Sequence, residues 1–434
     1  MFIFCSFVKH RYMKNFVNEY KSKKSCLFVN LFLAIIICFC GGVMFTGCCR
    51  NAIGYHVKAM PSKIVYQVNE TPSFDGLKIE AINNDGTFSR FRFDGRHISN
   101  VDTSTPGVKK VVVEKDNMSL SFNIYVANTV VNDSDNLKQI LSSANNGDII
   151  YLRSGSYAAQ TSTDERFKDI VINKSLTIIG DGSNSTIFSG NFIVGANYNG
   201  GVYTKISGFE NVTFNGIGFK LNYTVKNNFI EYSDLYGKTD RNGAIRCFDT
   251  KNLNITNCSF RGYGYGIYGD SPDGLTVNNC TFKSIQKNAI YISNDITNST
   301  IYKNIFVDIA NNVVSFDNNE QSNLGAILLN FSNEGPKGII ICKNIFTRIA
   351  LRDGDVVYYD DNSKVQAQAT SSNLFSMSYA NNSSVIFLVS SAQNDLQVTG
   401  IVLSSNNYGQ TLQNLSMGAK GKNTINQNGI IVVD

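Results

Sequence analysis

The hydrophobic pattern changes character along the chain. Residues 27–46, LFVNLFLAIIICFCGGVMFT, form a nearly unbroken apolar stretch behind Lys21, Lys23 and Lys24, the layout of an export or anchoring segment whose positive flank stays inside. Between 58 and 129 come short alternating stretches, Lys63–Val68, Leu77–Ile82, Ser89–Phe93, Val108–Glu114 and Met118–Val126. Period-2 alternation predicts half-buried strands. Asn84-Asp85-Gly86 and Thr105-Pro106-Gly107 supply turns between them. From 130 onward one helical pattern, Ser134–Ala144 with Leu137, Ile140, Leu141 and Ala144 on one face after a Ser/Asp cap, gives way to short β-branched strands.

These strands repeat. Leu253-Asn-Ile-Thr-Asn-Cys-Ser-Phe260 matches Leu275-Thr-Val-Asn-Asn-Cys-Thr-Phe282, and Ser299–Phe306 and Ile339–Phe346 fit the same frame. The Phe spacings of 22, 24 and 40 predict two single coils of a solenoid, then either one coil with a long insertion or nearly two coils. The frame places Cys258, Cys280, Asn304 and Asn344 in one inward column, the cysteines as small buried hydrophobes with an inter-coil disulfide as the alternative. A second strand per repeat is predicted at 244–248, 266–270, 289–293, 313–317 and 356–360, with Ile245, Ile267, Ile290, Val314 and Val357 in the core. Arg246, Tyr268, Tyr291, Ser315 and Tyr358 then face outward, followed two residues later by Phe248, Asp270, Ser293, Asp317 and Asp360. Val385–Val389, Leu396–Leu403 and Gly429–Val433 read as further strands, which either continue the coils or cap them.

Three resemblances rest on these residues. Pro61, Tyr66, Val68, Glu70, Gly76, Leu77, Ile79, Asp85-Gly86 and Thr105-Pro106-Gly107 resemble the bacterial Ig-like domains of group 3, which implies a spacer or display β-sandwich at 58–129. The helix, Gly147–Leu152 with Gly155-Ser156-Tyr157, and Ser175–Gly182 resemble the entry to right-handed parallel β-helices of the pectin-lyase-like superfamily. That implies an all-β chain with a capped β-helix at 130–434. Phe45-Thr46-Gly47-Cys48 resembles the bacterial lipoprotein signal, with Phe45 where Leu or Val is usual. The resemblance implies a signal at 1–47, lipid on Cys48 and an exported, membrane-anchored protein at the cell surface or in the periplasm. An uncleaved anchor is the alternative, and Met13 offers a second start.

Composition narrows the classes. With 43% apolar and 17% charged residues, 5 Pro and no Trp, the chain is no coiled coil, collagen or charge-driven disordered protein. Its 54 Asn suit left-handed corners. Residues 1–47 hold six Lys/Arg and one acid, so 33 basic and 33 acidic residues remain, and the net charge of +5 makes no case for a nucleic-acid partner. The three His (His10, His56, His97) and the absence of CxxC spacing point to no metal site.

The outward Tyr row (Tyr268, Tyr291, Tyr358) with Arg246 suits a polysaccharide or a host or cell-surface glycan, because rings pack on sugar C–H faces and carboxylates accept from hydroxyls. Catalytic candidates are Arg246, Asp249, Asp270, Asp317 and Asp360, with Lys251 and Arg261 nearby in sequence. If 298–336 is one coil, Asp317 and Asp360 fall in adjacent coils, near the separations glycosidases use, although any regular ladder makes such pairs. The polygalacturonase motif set needs a Gly-His-Gly, and no His follows His97. Arg352-Asp353-Gly354-Asp355 with Asp360-Asp361 lacks EF-hand spacing and reads as a polar loop. The expected function is non-catalytic glycan binding or adhesion, with no cofactor. A polysaccharide lyase on an acidic glycan, with calcium, is the alternative ahead of a glycoside hydrolase, and a structural envelope protein is the third reading.

Overall fold

The computed structural model describes residues 52–349 apart from 116–117, 159–168, 200–201, 222, 227–228, 233–242, 311–324 and 332–336, and beyond 349 a set of strands from Val356–Tyr359 to Ile430–Val433. Among the described residues no helix is long and apolar enough to cross a membrane. The apolar stretch and Cys48 lie outside them.

Two compact units emerge. The first contains 52–59, 77–97 and 114–120. Ala52–Ala59, Lys78–Asn83 and Phe88–Arg90 form an antiparallel sheet, and the rings of Tyr55 and Phe91 lie 4.2 Å apart. Gly86 closes the expected turn at φ +76°, where a side chain would be strained. The strand Ala52–Ala59 has no clean alternation and was not among those expected.

The second unit holds 60–76, 98–113 and the chain from 121 onward. Val65 pairs with Tyr125, and the expected strand at 63–68 shrinks to Val65–Tyr66, because a turn closes from Gln67 O to Glu70 N and places Asn69 at φ +63°. The helix Leu137–Ser143 caps the first coil, burying Leu137 and Leu141. Its N-cap is Asn136, whose side chain accepts from Gln139 N, rather than the expected Ser or Asp.

Behind the cap runs a right-handed parallel β-helix of three sheets. Sheet 1 stacks Asp169–Ile172, Asn191–Val194, Gly243–Phe248, Tyr265–Asp270, Ile290–Ile292, Ile327–Phe331, Ile386–Ser390 and Leu415–Ala419. Sheet 2 runs from Thr129–Val131 through Lys251–Thr256, Thr276–Asn278 and Thr300–Tyr302 to Ile430–Val433, so coils continue into the C-terminal region. Sheet 3 contains Gly218–Lys220, Ser259–Arg261, Thr281–Ile285, Ile305–Ile309 and Ile345–Ile349 among its strands.

The repeat frame sets the register. Phe219, Phe260, Phe282, Phe306 and Phe346 stand opposite one another and their rings stack at 4.8, 4.6, 5.0 and 4.8 Å. Phe306 pairs directly with Phe346, so the 40-residue interval is one coil with an insertion. Gly266 makes room for this column, since a Cβ there would lie 2.7 Å from the Phe282 ring and from Ala289 O. Cys258, Cys280, Asn304 and Asn344 are all buried, and both cysteines are free thiols rather than a disulfide. The Cys258 and Cys280 thiols reach the corner carbonyls of Thr256 and Asn278 at 3.2 and 3.3 Å. Asn211, Asn252, Asn257, Asn279 and Asn298 all occupy left-handed corners, as the Asn excess suggested.

Two strand assignments need correction. After Ile290–Ile292 the next strand of sheet 1 is Ile327–Phe331, not 313–317, and it is followed by Ile386–Ser390, not 356–360. Val314, Ser315 and Asp317 lie outside the described residues. Val356–Tyr359 pairs antiparallel with Lys364–Ala367, so Val357 and Tyr358 belong to a separate hairpin. Asp360 and the loop residues Arg352, Asp353, Asp355 and Asp361 are outside the described residues. The physical reason is that each of these segments has the alternation of a strand, while the coil register is fixed elsewhere, by the Phe306–Phe346 pairing.

Candidate functional site

Pairing in sheet 1 puts Ile193, Arg246, Tyr268, Tyr291 and Leu328 in one outward column, with Phe387 next by backbone register. The expected trio of Arg246, Tyr268 and Tyr291 is therefore brought together, and Leu328 takes the place assigned to Ser315. Tyr268 and Tyr291 are half-buried and stacked, with centroids 5.0 Å apart and planes at 22°. Tyr265 leans on both, at 5.4 and 5.2 Å. Leu328 packs against Tyr291. The result is a rigid ring cluster whose outer faces remain partly open.

A hairpin, Ala196–Asn199 with Val202–Lys205, folds over the start of this face, reaching Asp169 and Arg246 through Tyr203, and the outward Ile193 is fully buried. Its Tyr203 hydroxyl donates to Asp169, and Asn191 Nδ2 donates to the other Asp169 oxygen at 3.0 Å. Burial and the Asp169 carboxylate push the Tyr203 phenol far above its ordinary value. Arg246 is 7% exposed, its guanidinium carbon 5.3 Å from the Phe248 ring, 5.6 Å from Tyr203 and 5.9 Å from Tyr268. This is a cation packed among rings. Toward the first strand of the sheet a cleft of about 310 Å³ is lined by Asp169, Asn173, Lys174, Asn197, Tyr198 and Tyr203 among others.

The carboxylates sit at the corner after the ring column. Asp249, at φ +42°, and Asp270 share Lys205 of the hairpin, at 3.5 and 2.7 Å. Asp270 also accepts from Asn294. Burial raises the Asp270 carboxyl, but the Lys205 and Asn294 hydrogen bonds and the Lys205 charge outweigh it, and the net shift is downward. Burial lowers Lys205, and the Asp270 and Asp249 contacts reverse this, leaving it raised. Cys247 beneath them is pushed up to about 12 by burial and stays a thiol.

Asp270→Asn is expected to cost ~1–2 kcal/mol by loosening the hairpin. A carboxyl depressed in the folded state contributes fully above its unfolded value near ~3.9, and its contribution is lost as pH falls through the lower folded value. Urea midpoints of the wild type and Asp270→Asn should therefore differ at pH 7 and converge as pH falls through the lowered folded-state value. A gap that persists in acid would assign the effect to packing.

Tyr203, Lys205, Asp169, Tyr265 and Asn294 join the site without having been singled out. Asn199-Gly200-Gly201 was the available hairpin signal. Lys251 and Arg261 belong to sheets 2 and 3. Among the described residues no group of three or more His, Cys, Asp or Glu is placed to hold a metal ion.

The fold defines a class: a parallel β-helix protein with an Ig-like domain ahead of it. Residues 59–126 match the family model described as Bacterial Ig-like domain (group 3). No curated protein matches the chain. Similar solved structures include the catalytic domain of a GH87 alpha-1,3-glucanase in complex with nigerose, at 12% identity over 70% of this chain and 67% of that one, with a TM-score of 0.31. A Yersinia enterocolitica Family 28 exopolygalacturonase is 8% identical over 82% of each chain, with a TM-score of 0.24. A PL6 alginate lyase in complex with a trisaccharide is 11% identical over 70% of this chain and 84% of its own, with a TM-score of 0.19. None of these lends a residue role to this chain.

Proposed function

We propose that the protein is exported by the signal at 1–47, held at the cell surface by lipid on Cys48, and binds a polysaccharide without turning it over, the Ig-like segment acting as a spacer. The observation that carries this reading is the stacked Tyr268–Tyr291 pair, half-buried on an outward sheet face and braced by Tyr265 and Leu328. Braced rings lose little entropy on binding and offer flat faces to sugar C–H groups. Asp270 and Asn294 on the rim are polar partners for hydroxyls.

The charges favour binding over catalysis. A lyase base requires a lysine or arginine that gives up its proton readily, whereas Lys205 is raised and clamped by two carboxylates. A general acid requires a raised carboxyl, and Asp270 is lowered. Titration of the full-length protein in detergent against a panel of neutral and acidic polysaccharides tests the reading. Tyr268→Ala and Tyr291→Ala are each expected to weaken binding about tenfold with no change in fold. New reducing ends from any member of the panel, or wild-type affinity in both variants, would overturn it.

A further inference from the structure

The charges and hydrogen-bond donors around the Tyr268–Tyr291 pair restrict what that face can take. Three cations stand on or beside it, and each is already engaged. Arg246 is packed among the rings of Phe248, Tyr203 and Tyr268. Lys205 bridges Asp249 and Asp270. Lys287 lies over the Tyr265 ring, 5.6 Å from its centroid. The carboxylates around them are four. Asp249 and Asp270 share one lysine, Asp169 holds Tyr203 and Asn191 at the hairpin end, and Asp295 follows Asn294 on the rim. Further round the corner Lys251 and Asp273 stand opposite one another and cancel. Among the described residues the face therefore carries more negative charge than positive.

Hydrogen bonding points the same way. The column beside the rings, two residues further along each strand, holds Asp270, Ser293 and Asn330. The Ser293 hydroxyl donates to Gly269 O at 3.1 Å, and Asn330 Nδ2 donates to Ser293 O at 3.0 Å. Asn294 Nδ2 and the Lys205 ammonium both donate to Asp270. Each of these donor groups is aimed at a protein oxygen, while acceptors are in surplus. An ionised carboxylate has about four acceptor sites. Asp249 meets Lys205 through one oxygen and keeps 44% of its side chain exposed. A sugar hydroxyl can donate to such groups. A uronate carboxylate only accepts. Held on Tyr268 it would also stand about 7 Å from Asp270, two residues along the same strand, inside the Debye length of about 8 Å at physiological salt.

We propose that the Tyr268–Tyr291 face selects a glycan without anionic groups, held by ring contact and by hydroxyls that donate to Asp249 and Asp270, and rejects uronate-bearing chains. Asp249, the more exposed of the two acids, sets much of this discrimination. The inference rests on that face being the glycan site.

The test measures binding of the full-length protein in detergent to matched pairs, each an uncharged polymer and its own carboxymethyl derivative: hydroxyethylcellulose, dextran and a linear β-1,3-glucan. Polygalacturonate supplies a natural uronate. Binding is assigned to this face where Tyr268→Ala weakens it. Expected is an uncharged polymer bound at least about tenfold more tightly than its carboxymethyl partner and than polygalacturonate. Asp249→Asn should narrow that ratio about threefold at low salt. Salt at 1 M, where the screening length falls to about 3 Å, should narrow it in the wild type as well. A ratio that neither salt nor Asp249→Asn changes would assign the discrimination to the bulk of the carboxymethyl group and overturn the role of charge. A carboxymethyl polymer or polygalacturonate bound through Tyr268 as tightly as every uncharged one would overturn the inference and leave the glycan site standing. No binding to any polymer, or binding that Tyr268→Ala leaves untouched, would overturn the reading of the face itself and the inference with it.

Discussion

Phe282→Ala is expected to lower the unfolding free energy by about 4 kcal/mol, the largest single loss in the solenoid. Phe282 is fully buried and stacked between Phe260 at 4.6 Å and Phe306 at 5.0 Å, with interplanar angles of 5° on both sides. Removing the ring deletes both contacts and leaves a cavity that Gly266 and Ala289, having almost no side chain, cannot collapse to fill. Phe282→Leu, which keeps much of the volume, should cost only about 1–2 kcal/mol. Urea titration followed by far-UV circular dichroism reads both. Equal losses for the two variants would mean that ring geometry, rather than filled volume, carries the contribution of the stack.

Asn304→Leu should cost about 3 kcal/mol although leucine has nearly the shape of asparagine and the site is fully buried. The Asn304 side chain accepts from Cys280 N at 2.9 Å, donates to Val277 O at 2.9 Å and donates to Asn344 Oδ1 at 3.0 Å. Leucine strands a buried amide and a buried carbonyl at the corner, each of which carries its own desolvation cost. Asn344 continues the chain of bonds, accepting from Asn304 N and donating to Ile301 O, both at 2.9 Å. Thermal melts of Asn304→Leu and Asn304→Ser separate shape from bonding, because serine restores one partner. A loss below about 1 kcal/mol for leucine would show that the corner relaxes to bond itself.

Both effects concern residues that the repeat frame had already placed. A parallel coil pairs with the next coil at a fixed register, so octapeptides that share one frame must stack position on position, and the Phe column and the Cys/Asn column follow from counting. Side chains alternate with period 2, which is enough to put Ile245, Ile267 and Ile290 inside and Arg246, Tyr268 and Tyr291 outside. The Asn excess is likewise local physics: Asn tolerates positive φ, and corners need it.

Tertiary structure decided the rest. Segments 313–317, 327–331 and 356–360 all have the alternation of a sheet 1 strand, and pairing selects Ile327–Phe331. An excursion between coils can lengthen at small entropic cost, so sequence distance does not say which segment returns to the sheet. That choice removed Tyr358 from the ring row and left Leu328 and Phe387 in its line. The hairpin Ala196–Lys205 was signalled by Asn199-Gly200, but only its docking brings Lys205 to Asp249 and Asp270 and Tyr203 over Arg246. The sequence by itself determined the repeating coil, because each coil's pairing is a local rule applied again. It did not determine the site, because the site is made where insertions leave the repeat and fold back onto it, and those contacts are long-range and have no period to count.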